Sequence, residues 1–165
     1  MKTKLPTVLI LAGLMGGALV SPRAVPAADA PKSSLPDIYD ESADANRQIA
    51  DAVAQAKREN KRVLLQFGAN WCGWCHKLHK LFDTDKAVGD KLKAGYVVAL
   101  IDVNKGHNKD LITKYEAQKM GLPFIVILGS DGQHLTTKNS GELEEGDHHS
   151  PQKVIAFLDQ WTPKK

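Results

Sequence analysis

The only two cysteines of this 165-residue chain stand in one short motif, Cys72-Gly73-Trp74-Cys75. A pair so spaced supports four chemistries: a structural staple, thiol-disulfide exchange, metal ligation or covalent haem attachment. The staple is the weakest of them, because closing so short a loop restricts the unfolded chain little. His76 follows directly, so the run also reads C-x-x-C-H, the attachment signature of c-type haem. With His79 it offers four side chains of the kind that hold copper or zinc, and His148 and His149 are remote contributors. Helical geometry opposes a joint site, since neighbours on a helix lie about 100° apart and His76 therefore diverges from Cys75. Haem would further need a distal ligand, for which Met120 is the only methionine outside the N-terminal segment.

Exchange makes narrower demands. The nucleophile is the thiolate, so something must lower the pKa of one cysteine. Arg62-Val63-Leu64-Leu65-Gln66-Phe67, ending in Gly68, is an apolar, β-branched run that reads as a strand covered on both faces. Directly after it, Cys75, Leu78, His79 and Phe82 recur at spacings of three and four, which places the pair at the start of a helix. There Cys72 faces unpaired backbone N–H groups and the positive end of the helix dipole, both of which favour the anion. Cys75 lies one turn further in, sheltered but within reach of a mixed disulfide on Cys72. The expected roles are Cys72 as exposed nucleophile and Cys75 as resolving thiol.

The rest of the chain supplies the frame. A helix is expected from a cap at Ser42 to about Asn60, with Ile49, Val53 and Ala56 at helical spacing, and another over Lys86 to Lys93. Tyr96 to Val103 reads as a second buried strand and 109–119 as helix, and Gly121-Leu122-Pro123 then breaks the pattern. Phe124 to Leu128 is a strand, Asp131-Gly132 a hairpin turn and Gln133 to Thr137 its partner. Ser150 caps and Pro151 begins a helix ending near Trp161, itself a core residue. Alternation followed by a hairpin implies an α/β fold, in which parallel strands and an antiparallel edge pair form a mixed sheet with helices on both faces.

Before this frame, Lys2 and Lys4 precede an apolar run from Leu5 to Val20, and small residues follow it at Val25-Pro26-Ala27-Ala28. That is the pattern of a secretory signal peptide over residues 1–27, cut after Ala27 or Ala28. The apolar run, broken by Pro6 and by Gly13, Gly16 and Gly17, falls short of the roughly 20 residues of a membrane span. Residues 28–37, with Pro31, Ser33, Ser34 and Pro36, form a leader, and the domain occupies 38–165. Removing the signal takes away Lys2, Lys4 and Arg23 but no acid, leaving the 19 carboxylates matched by as many cations. The net charge of +3 thus belongs to the export segment, and it argues for neither a nucleic-acid nor a membrane surface. Export leads to a compartment where disulfides form, such as the bacterial periplasm, and two exported cysteines this close are better explained by redox chemistry, metal binding or haem attachment than by a staple.

The segment Phe67-Gly68-Ala69-Asn70-Trp71-Cys72-Gly73-Trp74-Cys75 resembles the active-site segment of the thioredoxin superfamily. Gly121-Leu122-Pro123 is similar to that family's cis-proline loop, and the likeness covers roughly 42–161. The resemblance implies a three-layer sandwich around a mixed sheet of four to five strands. It further implies a monomer without cofactor, acting on protein thiols and disulfides together with an upstream redox partner, and more in the reductive than the oxidative sense. Substrate would meet Trp71, Gly73, Trp74, Leu122 and Pro123, with the backbone of Leu122 pairing with substrate main chain. Two residues depart from the pattern: Gln66 replaces the buried aspartate of thioredoxin and cannot take a proton from Cys75, and the dipeptide is Gly-Trp. A copper, zinc or haem protein using Cys72, Cys75 and His76, or an interaction module without turnover, are the rival readings. His76 is expected at the surface, where its charge could favour the thiolate. His79 is expected to face the helix packing, and 141–150 to be an acidic surface loop holding His148 and His149. Asp102-x-Asn104-x-Gly106-x-Asn108 is not a calcium loop, because its glycine falls one position early and Thr113 stands where a bidentate glutamate belongs.

Overall fold

The strand ahead of the cysteines, β1 (Arg62–Gly68), is buried at every residue from Val63 onward. Complete burial requires strands on both sides and cover on both faces. In the computed structural model, which describes residues 35–163, β1 pairs in parallel with β2 (Tyr96–Asp102) and antiparallel with β3 (Phe124–Leu128). β4 (His134–Asn139) joins β3 antiparallel, giving the order β2-β1-β3-β4.

Alternation along the strands decides which helix packs where. Val63, Leu65, Phe67 and Val126 form one cluster with Ala45, Ile49, Ala52 and Ala56 of α1 (Ala45–Glu59) and Leu111 of α4 (Lys109–Lys114). Leu64, Ile125 and Ile127 face the other way, against α2 (Gly73–Thr84), α3 (Lys86–Gly95) and α5 (Pro151–Trp161). The result is the expected α/β three-layer sandwich on a mixed sheet.

Several local expectations need correction. α1 is capped by Asp44, whose carboxylate accepts from the amides of Asn46 and Arg47, while Ser42 turns its amide and hydroxyl to Asp40. α4 ends at Lys114 instead of continuing to 119, because Glu116 turns left-handed at φ 58° and the chain folds back to bury Ala117. β2 was expected to be wholly buried; as the outer strand it leaves Val98 38% exposed. Trp161 is only half-buried, against the second cluster. Residues 141–150 are not a plain surface loop: after a short turn they form a ladder of β5 (Glu144–Glu145) and β6 (His148–His149), and His149 is buried. The export signal expected over 1–27, and residues 28–34 of the leader expected over 28–37, lie outside the described residues. No helix among the described residues is long and apolar enough to cross a membrane.

Candidate active site

β1 delivers the chain through Gly68-Ala69-Asn70-Trp71 to Cys72, which is the N-cap of α2. The Cys75 amide is one of the donors that a helix start leaves without a helical partner, and it donates to Cys72 Sγ at 3.2 Å. The backbone N–H groups of Cys75 and His76 turn onto the Cys72 carbonyl, at 3.0 and 3.2 Å. The two cysteines are joined in a disulfide, with Cα atoms 5.2 Å apart. Cys75 is fully enclosed at 0% exposure and Cys72 retains 5%. The outer cysteine is therefore less open than expected, although Trp71 and Gly73 on either side of it are exposed.

Beneath the disulfide lies a compact floor. Tyr39, Ala69, Cys72 and Cys75 form one buried cluster, to which Ile38, Trp74, Leu100 and Leu122 pack. Asn70 ties the segment before α1 to this floor: its Oδ1 accepts from the amides of Ile38 and Tyr39 at 2.9 and 2.8 Å, and its Nδ2 donates to the Tyr39 carbonyl at 3.0 Å. Gln66, fully buried, donates from Nε2 to the Tyr39 hydroxyl at 2.6 Å and to the Cys75 carbonyl at 3.1 Å. Gly68 has to be glycine for reasons of space, since a Cβ there would stand 2.6 Å from Cys75 Sγ and 2.7 Å from Tyr39 Cζ, with the Tyr39 hydroxyl closer still. Gly68→Ala should therefore destabilise the fold by about 1–3 kcal/mol through overpacking, read as a lower midpoint in denaturant at unchanged slope.

The thioredoxin-like family profile matches residues 44–130, a span that includes the strand, the cysteine pair and the cis-proline turn. The chain belongs to the thioredoxin-like family. Among solved structures it is similar to a disulphide isomerase from Xylella fastidiosa, at 36% identity and a TM-score of 0.66 over 76% of this chain and 95% of that one. Among curated proteins it is 33% identical over 86 residues to the thiol:disulfide interchange protein DsbD of Vibrio cholerae, covering 52% of this chain and 14% of that protein. A protein disulfide-isomerase of Zea mays is 32% identical over 85 residues, 16% of its length. The chain thus spans a small part of these two curated relatives.

Within this thioredoxin-like site the other candidate residues divide. Trp71 is 60% exposed, and its indole Nε1 donates to Asn104 Oδ1 at 2.9 Å. Trp74 is half-buried: its ring meets His149 edge-on at 5.4 Å between centroids, and the Lys77 ammonium lies 4.3 Å from its centre. Beyond its chain neighbours and its own helix backbone, Gly73 has no atom within 4 Å of where a Cβ would stand. The Leu122–Pro123 peptide is cis, Leu122 packs on the cysteine cluster, and the buried Pro123 gives its carbonyl to the Ser140 hydroxyl.

The proposed metal set is dispersed. His76 bonds the Asn70 carbonyl at 2.8 Å, so it is not the free surface group expected, and His79 pairs with Asp83 at 3.3 Å. Met120 packs into the cluster beside α1, on the opposite face of the sheet from α2. Among the described residues no three His, Cys, Asp or Glu side chains gather as metal ligands. Asp102 and its neighbours serve to tie a loop: Asp102 Oδ2 accepts from the Asn104 amide at 3.1 Å and lies 3.0 Å from His107 Nδ1, and Asn108 Nδ2 donates to the Asp102 carbonyl at 2.8 Å. Sequence reasoning missed Tyr39, Gly68, Asn70 and His149. A signal for the first existed in Gln66, a polar residue in the middle of an apolar strand that needs a buried partner.

Proposed function

We propose that this chain exchanges thiols for disulfides on protein substrates outside the cytoplasm, with Cys72 as nucleophile, Cys75 as resolving thiol and electrons passing mainly to the substrate. The observation that carries the reading is the disulfide itself: one sulfur caps α2 and the other is sealed one turn deeper, the arrangement that capture followed by release requires. The names of the Xylella, Vibrio and Zea relatives point to the same chemistry. Trp71, Gly73, Trp74, Leu122 and Pro123 are the proposed substrate contacts, with Trp71 offering the open apolar surface. Location outside the cytoplasm is supported by the export-type pattern of residues 1–27. A separate redox protein would then restore the dithiol after each turnover.

The reductive direction has a physical basis. A strong oxidant is one whose reduced thiolate is well stabilised. Here Gly73-Trp74 puts no cation between the sulfurs, and His76 spends its ring on the Asn70 carbonyl. Equilibration with glutathione buffers should place the potential below about −200 mV, closer to thioredoxin than to the periplasmic oxidant. The dithiol form should also accelerate insulin reduction. A potential near −120 mV would reverse the direction, and no acceleration at all would remove the exchange reading.

A further inference from the structure

Gln66 poses the question that the exchange reading leaves open. It is fully buried in the central strand, and its Oε1 has no partner among the described residues, a cost that a leucine of similar size would avoid. Its Nε2 makes two bonds, to the Tyr39 hydroxyl and to the Cys75 carbonyl. The carbonyl is an acceptor only, so it fixes which way round the amide stands, and the tyrosine oxygen must then be accepting. The hydroxyl proton is left to point elsewhere. Across the space that Gly68 leaves vacant, that hydroxyl faces Cys75 Sγ: the two atoms stand 2.3 and 2.6 Å from where a Gly68 Cβ would be. Asn70 holds the Tyr39 backbone through two hydrogen bonds and that of the preceding Ile38 through a third, so the ring is built into the site and not resting on it.

We propose that Tyr39 donates the hydrogen bond that stabilises the Cys75 thiolate during resolution, with Gln66 orienting its hydroxyl. The inference rests on the exchange reading of the pair. In the mixed disulfide, Cys75 releases its proton to water and its sulfur becomes the anion that Tyr39 O–H steadies. The Cys75–Cys72 bond forms, the bond from Cys72 to the substrate sulfur breaks, and the departing thiolate takes a proton from solvent. No oxidant or reductant beyond the thiols themselves is needed. Tyr39 acts as donor and not as proton acceptor: burial, with the charge of Asp102 adding to it against the opposing Gln66 bond, holds its hydroxyl well above the usual tyrosine range. The ionisable groups around this corner are Tyr39 itself, His76 on α2 and Asp102 at the β2 position paired with Gly68, with Glu41 bonded to Asn70 beyond them. Gln66, Gly68 and the turn 121–123 bring none. A donor in place of the aspartate named for thioredoxin would ease the release of the proton without taking it.

The test is the ionisation of Cys75 in the reduced full-length protein, followed by NMR of isotopically labelled cysteine. Tyr39→Phe should raise its midpoint by about one pH unit and slow closure of a Cys72–glutathione mixed disulfide about tenfold at neutral pH. Gln66→Met should move both in the same direction by less. Folding of each variant is checked by circular dichroism and thermal melting, and if Tyr39→Phe does not fold, Gln66→Met decides alone. An unchanged Cys75 midpoint in the folded variants overturns the proposal. The titration needs no turnover, so the two readings fail separately: an active wild type with unshifted variants sinks the tyrosine role alone, whereas shifted variants of an inactive wild type uphold it and sink exchange.

Discussion

Cys72→Ser should lower insulin reduction by roughly a thousandfold or more, to the uncatalysed background, because a serine hydroxyl is not ionised at neutral pH and cannot attack a disulfide sulfur. Cys75→Ser should fail differently. Its Cys72 thiolate still attacks, but the buried position that would expel the substrate now holds an alcohol, so mixed disulfides accumulate and appear on non-reducing gels as adducts that dithiothreitol removes. The contrast follows from burial: Cys75 at 0% exposure is out of reach of a protein disulfide, and it can meet substrate only through Cys72. Equal trapping by the two variants would show that the sulfurs are interchangeable and would dismiss the assigned roles. A Cys72→Ser protein working at the wild-type rate would remove the pair from the chemistry altogether.

The placement of the pair was legible in the sequence because it depends on short-range pattern. An apolar strand running into helical spacing at Cys75, Leu78 and Phe82 can place a cysteine pair in few ways, and the observed α2 begins at Gly73 with Cys72 as its cap. The same locality explains the correct reading of β1, β3 and α5, whose signals lie within each element. The errors are tertiary. β2 is as apolar as a central strand, but nothing in its residues says that it forms the outer edge; that depends on where β3 inserts. α4 stops early because Tyr115 and Ala117 are drawn into the core beside Phe67, and helix propensity beyond Lys114 is overridden by that burial.

The floor of the site was illegible for a related reason. Tyr39 sits in a polar stretch ahead of α1, and it reaches Cys75 only because Asn70, far along the chain, grips its backbone. Gly68 looked like a strand terminator, whereas its missing Cβ is what lets Tyr39 and Cys75 share one space. Gln66 stood out as a departure from an expected acid and as a polar residue within an apolar strand, but neither sign named its partner. With Tyr39 and the Cys75 carbonyl in place, it has two partners and a reason to be there.

His149 carries the largest expected effect on stability, and it arises where a solvated loop was expected. The ring is 2% exposed, neither nitrogen has a hydrogen-bond partner among the described residues, and it lies edge-on to Trp74 from within the cysteine motif. Around it stand Lys77 and His148, while Glu144 Oε1 reaches only to 4.0 Å, too far to offset the loss of water. Burial first, then the charges of Lys77 and His148, lower its pKa from 6.5 to about 4. In the unfolded chain the imidazole takes up a proton near pH 6.5, and in the folded protein it resists until about pH 4. Acid therefore favours the unfolded state through this group: its contribution is intact above pH 6.5, declines as pH falls through that window, and is fully lost by about pH 4. The loss amounts to roughly 3 kcal/mol if the whole shift is expressed. His149→Phe keeps an aromatic ring against Trp74 and removes the titration. Its unfolding free energy should thus fall less between pH 7 and 4.5 than that of the wild type, by about 2–3 kcal/mol, with the carboxylates common to both proteins cancelling from the comparison. Parallel curves for the two proteins would mean that the β5–β6 ladder opens to admit the proton, and that Trp74 is not held by a neutral histidine.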